Sequence, residues 1–260
     1  VFKVTILGFV FALFLSSSII IITLFLQGPI FYGFASISRE SLSVGVGIDQ
    51  VRLNVTGWLA HFCIYDIDPP LPLNYVNNET MTPGLTVQLN AYVIVNGGKR
   101  WWAQNVLLLG HALFINGSLV PMSYGVEAEV WGDGSIHAGF YGTFNYPFCG
   151  WLGIIEEGGG LAFQFNNKTY YYLSNASLFT GFNPGGIVNV ALAGRGYGSI
   201  AVVKSMNATV SLYAVLVNGS IVPVDYVGKP YYKSNTWTGE GIEGVCVIGM
   251  NNTALITGCN

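Results

Sequence analysis

Leu85-Thr-Val-Gln-Leu-Asn-Ala-Tyr-Val93 decides the fold class of this chain. Leu85, Val87, Leu89, Ala91 and Val93 alternate with Thr86, Gln88, Asn90 and Tyr92. A period of two puts the two sets on opposite faces of a strand, with the apolar set on the buried side. Asn96-Gly97 follows almost at once, and Asn-Gly between apolar runs is a strong short-range hairpin signal. Asn116-Gly117 and Asn218-Gly219 repeat it. Working outward, Ala208, Val210, Leu212 and Ala214 alternate with Asn207, Thr209, Ser211 and Tyr213, and Val51, Leu53 and Val55 alternate with Arg52, Asn54 and Thr56. Gly194 to Gly198 separates two further apolar runs, whereas Asp66 to Pro72, with three prolines, reads as a loop. Many short strands joined by tight turns predict a β-sandwich-like or barrel domain over residues 39–260. Leu113-Phe-Ile-Asn-Gly-Ser-Leu-Val-Pro121 echoes Val215-Leu-Val-Asn-Gly-Ser-Ile-Val-Pro223. Either a duplicated β unit or convergence on one hairpin produces such an echo.

The N-terminal stretch has a different chemistry. No residue from Val4 to Ser38 carries a charge; Lys3 precedes the run and Arg39 ends it. Val4 to Leu26 is long enough to cross a bilayer as a helix, and it is longer than the apolar region of a typical signal peptide. Gly28-Pro29 predicts a kink or a helix end, because proline removes a backbone donor and clashes one turn back. A retained apolar helix starting at Val1 resembles the type IV pilin class in its archaeal form. That resemblance implies a helix over residues 1–38 that sits in the membrane first and then packs with its copies in a filament core. A plain membrane anchor and an uncut signal peptide are the alternatives.

Composition narrows the partners. Only 9% of residues are charged while 52% are hydrophobic, and the formal net charge is -3. So bare a surface aggregates unless sugar or other copies of the chain cover it. The basic residues are scattered and form no patch, which argues against nucleic acid as a partner. Asn-x-Ser/Thr sequons begin at Asn54, Asn78, Asn116, Asn167, Asn175, Asn207, Asn218 and Asn251. N-linked glycans there would supply the missing solvation. Cys63, Cys149, Cys246 and Cys259 make an even set, which in a secreted chain predicts two disulfides. Cys246–Cys259 ties down a C-terminal tail that otherwise frays, which leaves Cys63 with Cys149. His61, His111 and His137 have no metal-ligand spacing, and no cofactor motif is present: the chain lacks a nucleophile elbow, a phosphate-binding loop and a dinucleotide fingerprint.

Acidic groups are few. Glu127, Glu129 and Asp133 cluster near Trp131; Glu156 and Glu157 precede three glycines; Asp66 and Asp68 flank Ile67. Paired carboxyls can divide acid and base roles, although surface acids in turns look the same in sequence. Gln88-Leu-Asn90 followed by Trp101-Trp-Ala-Gln-Asn-Val106, and the glycine-rich Trp237 to Gly244, resemble segments of thermopsin-type proteins. That resemblance implies a secreted, glycosylated, β-rich acid protease, but it carries no catalytic residue onto a position here. The expectation with the most support is a non-enzymatic subunit of an extracellular, adhesive filament, polymerised through residues 1–38. Its rivals are a membrane-tethered acid protease and an anchored envelope or binding protein.

Overall fold

The computed structural model describes residues 33–34, 43–48, 54–68, 84–110, 114–115, 118–120, 122–132, 135–180, 188–194, 200–224, 230–234, 241–250 and 253–259. Tyr32–Asn260 forms one compact unit. Among the described residues two large sheets account for most of it. Sheet A runs in the order β1 (Gly33–Phe34), β20 (Val245–Met250), β21 (Thr253–Gly258), β16 (Ser205–Leu216), β3 (Val55–Asp68), β10 (Phe148–Glu157), β11 (Gly160–Phe165) and β12 (Lys168–Ser174). β17 (Ile221–Pro223) also pairs with β16. Sheet B runs β18 (Pro230–Ser234), β2 (Ser43–Ile48), β14 (Val188–Gly194), β4 (Leu85–Val95), β5 (Lys99–Leu109), β8 (Ser123–Trp131) and β9 (Ser135–Thr143), with β13 (Ser177–Leu178) beside β4. Two small pairs complete the set: β6 (Phe114–Ile115) with β7 (Ser118–Leu119), and β15 (Ile200–Val202) with β19 (Gly241–Glu243). Every pairing within the large sheets is antiparallel.

The core lies between the sheets, where period-two alternation places it. Val87, Leu89, Ala91 and Val93 of β4 meet Trp58, Phe62 and Ile64 of β3 and Val210 and Leu212 of β16 in one cluster. The hairpin signals are realised. Asn96-Gly-Gly98 forms a short 3-10 turn between β4 and β5, and Gly97 takes φ 79°, a conformation that costs a glycine little. Gly219, at φ 81°, closes the β16–β17 hairpin. Both copies of the echoed motif flank hairpins, one in the small β6–β7 pair and one in sheet A.

The structure corrects the expected N-terminal helix. Residues 1–32 lie outside the described residues, but Gly33–Phe34, inside the expected helix, is a strand paired with Val247 and Cys246. A helix cannot run smoothly through Gly28-Pro29, and the chain beyond it joins the edge of sheet A. Among the described residues there is no α-helix. The described residues thus form a β-sandwich, and the expected helix does not continue through residue 38. The pilin resemblance, and the helical polymer built on it, fall with that helix.

Both predicted disulfides are formed. Cys63–Cys149 joins residues that are directly opposite in the β3–β10 register, 4.0 Å apart at Cα. Cys246–Cys259 joins β20 to the chain end.

Candidate active site on the outward face of sheet B

The polar half of β4 is not solvated. Gln88 and Asn90 point away from the core, yet they are only 4% and 3% exposed, and Gln104 and Asn189 are 2% and 1% exposed. Buried amides need partners, and these supply one another. Register fixes who meets whom. Asn189 of β14 stands opposite Asn90, Asn90 opposite Gln104, and Gln104 opposite Glu129 of β8. Four side chains on four adjacent strands thus form one row across the sheet.

The hydrogen bonds along that row run in one direction. The Trp131 indole N–H donates to Gln104 Oε1. Gln104 Nε2 donates to Asn90 Oδ1 at 2.8 Å and to Gln88 Oε1 at 3.0 Å. Asn90 Nδ2 donates to Asn189 Oδ1 at 2.8 Å. A side branch continues from Gln88 Nε2 to Thr86 Oγ1, which donates to the Ala193 and Gly194 carbonyls. The row ends on an unpaired donor: Asn189 Nδ2 is buried with no partner.

Glu129 and Glu127 stand at the other end, both half-buried and both on the outward face of β8. Two positions apart on one strand, their Cα atoms are about 6.8 Å apart. Their charges, together with a larger effect from burial, push the Tyr170 hydroxyl well above the usual phenol range. One rung along the strands lies an aromatic row, with Tyr92 opposite Trp102 and Trp102 opposite Trp131. The Tyr92 and Trp102 rings meet edge to face at 4.8 Å, and the Arg100 guanidinium lies 4.3 Å over Tyr92. Trp102 Nε1 is a second buried donor without a partner. Trp131 is 48% exposed, so the face opens at the carboxylates and closes toward Asn189.

The other acidic pairs are placed differently. Asp133 lies outside the described residues. Asp66 and Asp68 are exposed at the end of β3, where Asp66 helps burial push Tyr146 up to about 12. Glu156 accepts the Leu178 backbone N–H at 2.7 Å, a bond that holds β13 against the β10–β11 turn. With Glu157, Thr56 and Asn175 it lines an open cavity of about 520 Å³. Of the three histidines, His61 packs tilted against Trp151 with ring centroids 4.6 Å apart, and His137 stacks on Tyr171 at 3.8 Å. Burial lowers the His61 pKa. His111 lies outside the described residues. Among the sequons, Asn54, Asn167, Asn175, Asn207 and Asn218 are exposed, and Asn78, Asn116 and Asn251 lie outside the described residues.

Sequence reading had Glu127 and Glu129 but missed their amide neighbours. Gln88-Leu-Asn90 and Gln104 were visible as segments, yet they read as ordinary strand polarity. The signal was there in retrospect: amides, not charges, at alternate positions of strands that are otherwise apolar, with Asn189 set between Val188 and Val190.

The fold and this face together define a β-sandwich in which a buried amide row leads to two half-buried carboxyls. No family model and no curated protein matches the sequence, so the thermopsin-type resemblance finds no support there. Among solved structures the chain is similar to Scytalido-glutamic peptidase, seen once with a peptide-based transition-state analog and once with a transition-state analog inhibitor. Identity is 10% in both, and each match covers 85% of this chain and 99% of the peptidase, with TM-scores of 0.42 and 0.44. Likeness at this level transfers neither residues nor activity.

Proposed function

We propose that the chain is a peptidase working in acid solution, with Glu129 and Glu127 as its acid–base pair and Gln104 holding that pair's surroundings in place. One observation carries the reading. Two half-buried carboxyls share one strand face, and the nearer lies directly across from a buried glutamine whose carboxamide is fixed by three hydrogen bonds. A fixed amide beside a carboxyl keeps the polar environment organised before substrate arrives, which is where most electrostatic catalysis comes from.

The chemistry is hydrolysis by general acid and base. The Glu129 carboxylate takes a proton from water as the water oxygen attacks the peptide carbonyl carbon. The tetrahedral species then collapses and the C–N bond breaks. A protonated carboxyl, Glu129 itself or Glu127, gives its proton to the departing amine. A carboxyl pair divides these roles when one member holds a proton, a state that acid solution favours. Secretion belongs to the same proposal. Two disulfides support it, as do the exposed sequons, where glycans would cover a charge-poor surface.

The test is cleavage of an unfolded protein substrate by the purified chain between about pH 3 and pH 5, where a model carboxyl gains its proton. Glu129→Gln keeps the size of the side chain and is expected to cost about a thousandfold in rate, with the melting temperature unchanged. A Glu129→Gln protein that cleaves at the parent rate removes the basis of the reading.

A further inference from the structure

Glu129 stands where the buried amide row meets an exposed apolar corner. Across the β8–β9 register it is directly opposite Ile136, which is 62% exposed. Two positions along β8 is Trp131, 48% exposed, with its indole N–H fixed on Gln104. Period two puts all three side chains on the outward face. Opposite residues on paired strands have Cα atoms about 5 Å apart, and residues two apart on one strand about 6.8 Å. Glu129 therefore has exposed apolar neighbours on two sides and buried Gln104 on a third. Beyond Trp131 the apolar surface continues across β5 and β4 through Trp102 and Tyr92, each partly exposed.

Single exposed apolar residues need no explanation, but Ile136 is not placed as a stray. β9 is the last strand of sheet B, and Ser135–Thr143 contains no Asp, Glu, Lys or Arg. Proteins commonly blunt an exposed edge with charge, because an uncharged one invites association. A charge at position 136 would disturb no core contact, yet isoleucine stands there, across from a candidate catalytic carboxyl. The chemistry of the corner selects its occupant. An apolar side chain laid against Ile136 and the Trp131 ring takes hydrocarbon out of water on both partners, whereas a small polar one gains little. Successive Cα atoms of a peptide are about 3.8 Å apart, less than the spacing from Glu129 to either residue. The side chain that reaches them therefore belongs to a residue flanking the bond held at Glu129.

We infer that Ile136 and Trp131 form a specificity subsite, which takes the large apolar side chain (leucine, methionine or phenylalanine) of a residue flanking the bond cleaved at Glu129. The inference rests on the peptidase reading and adds its substrate class. Both residues are open to solvent, so a peptide reaches them without any strand moving. The bond from Trp131 to Gln104 holds the indole in place before substrate arrives, which lowers the ordering cost of binding.

The experiment uses two octapeptides of alanine and glycine that differ at one central position, leucine in one and serine in the other. The readout is the ratio of their kcat/KM values at acid pH, with the cleaved bond mapped by mass spectrometry. A ratio measured on one protein is independent of how much of it is folded. The parent is expected to favour the leucine peptide about tenfold, the low end for an apolar contact that stays partly open to water. Ile136→Thr keeps a β-branched strand residue of similar size and is expected to cut that preference to about twofold. Ile136→Val removes one methylene and is the second variant, expected to fall part of the way, to about fivefold. No leucine preference in the parent, or one that is equal in parent and variants, overturns the subsite. If the parent cleaves neither peptide, the peptidase reading fails, and calorimetric titration of both peptides into parent and Ile136→Thr decides the subsite alone. Tighter binding of the leucine peptide to the parent, by a margin that shrinks in the variant, upholds it; an equal margin, or no binding to the parent, overturns it.

Discussion

Gln104 and Asn105 are neighbours in the chain and face opposite sides of sheet B. Asn105 points into the core, is fully buried, and has partners for both its amide N–H donors and its oxygen. Its Nδ2 donates to the Gly153 and Gln164 carbonyls, both at 2.8 Å, and its Oδ1 accepts from the Tyr170 hydroxyl at 2.8 Å. Gly153 and Gln164 belong to sheet A, so this one amide bolts the two sheets together. The β11–β12 register shifts at Phe163/Gln164, next to that contact. Gln104 belongs to a row of equal burial that ends instead on an unpaired donor. The difference teaches how to tell an amide that joins two sheets from one that organises a single face. Burial is the same on both faces; completeness of the hydrogen bonding is not.

The largest expected effect on stability breaks the inward side. Asn105→Ala removes three hydrogen bonds and leaves two carbonyls and a hydroxyl without the partner they had. The expected cost is about 3–5 kcal/mol, several unsatisfied buried groups at once. It is read as a lower urea midpoint with an unchanged slope. A loss below about 1 kcal/mol would mean that water replaces the bolt and that the two faces do not differ in kind.

Tyr170→Phe sharpens the same side at smaller cost. At neutral pH it removes one bond to Asn105, about 1–2 kcal/mol. Its pH dependence is more specific. Burial, and then the charges of Glu127 and Glu129, raise the folded-state pKa above the unfolded value of 10.0. The fold therefore holds the phenolic proton more tightly than the open chain. That contribution is complete below pH 10 and is lost as pH rises above it. Melting temperatures followed from neutral to strongly alkaline pH should fall less steeply for Tyr170→Phe than for the parent. Tyr146, pushed up to about 12 by burial and by Asp66, keeps part of the alkaline loss in both. An alkaline limb identical in parent and variant would mean that the Tyr170 hydroxyl is neither buried in solution nor close to the carboxylates.

These two faces also mark how far sequence could go. The strand period of Leu85 to Val93 gave the sheet, the Asn-Gly pairs gave the hairpins, and the count and positions of the cysteines gave the disulfides, because each is a local rule about which side chains a backbone tolerates. The expected helix reached residue 38 because the uncharged run continues past Gly28-Pro29, a mark that a kinked helix and a helix end share. Gly33–Phe34 then pairs with β20, a partner more than two hundred residues away that no local pattern names. The amide row was hidden for the same reason. Asn90 is beside Asn189 only because β14 docks on β4, and Gln104 is beside Glu129 only through the β5–β8 register. Glu127 and Glu129 could be singled out as acids, but what makes them a candidate site lies on other strands.

The smallest expected effect tests whether burial without a polar network matters on the remaining face. His61 lies on the outward side of sheet A, against Trp151 and 3.9 Å from the Cys63 sulfur. Burial alone lowers its pKa, with no neighbouring charge contributing. The unfolded chain therefore binds a proton there more readily than the fold does. The stability tied to neutral His61 is present above pH 6.5 and is lost as pH falls toward the folded value. His61→Gln, which does not titrate, should leave stability at neutral pH nearly unchanged and flatten the acid limb of the melting temperature between about pH 6.5 and pH 4. Because His61 is less than half buried, solvent screens much of the effect and the change should be small beside that of Asn105→Ala. The sign is still decisive. A protein proposed to work in acid carries a histidine that acid makes less comfortable, so an acid limb that steepens in His61→Gln would mean that the protonated ring gains a partner in the fold, and that this face, like sheet B, has polar organisation of its own.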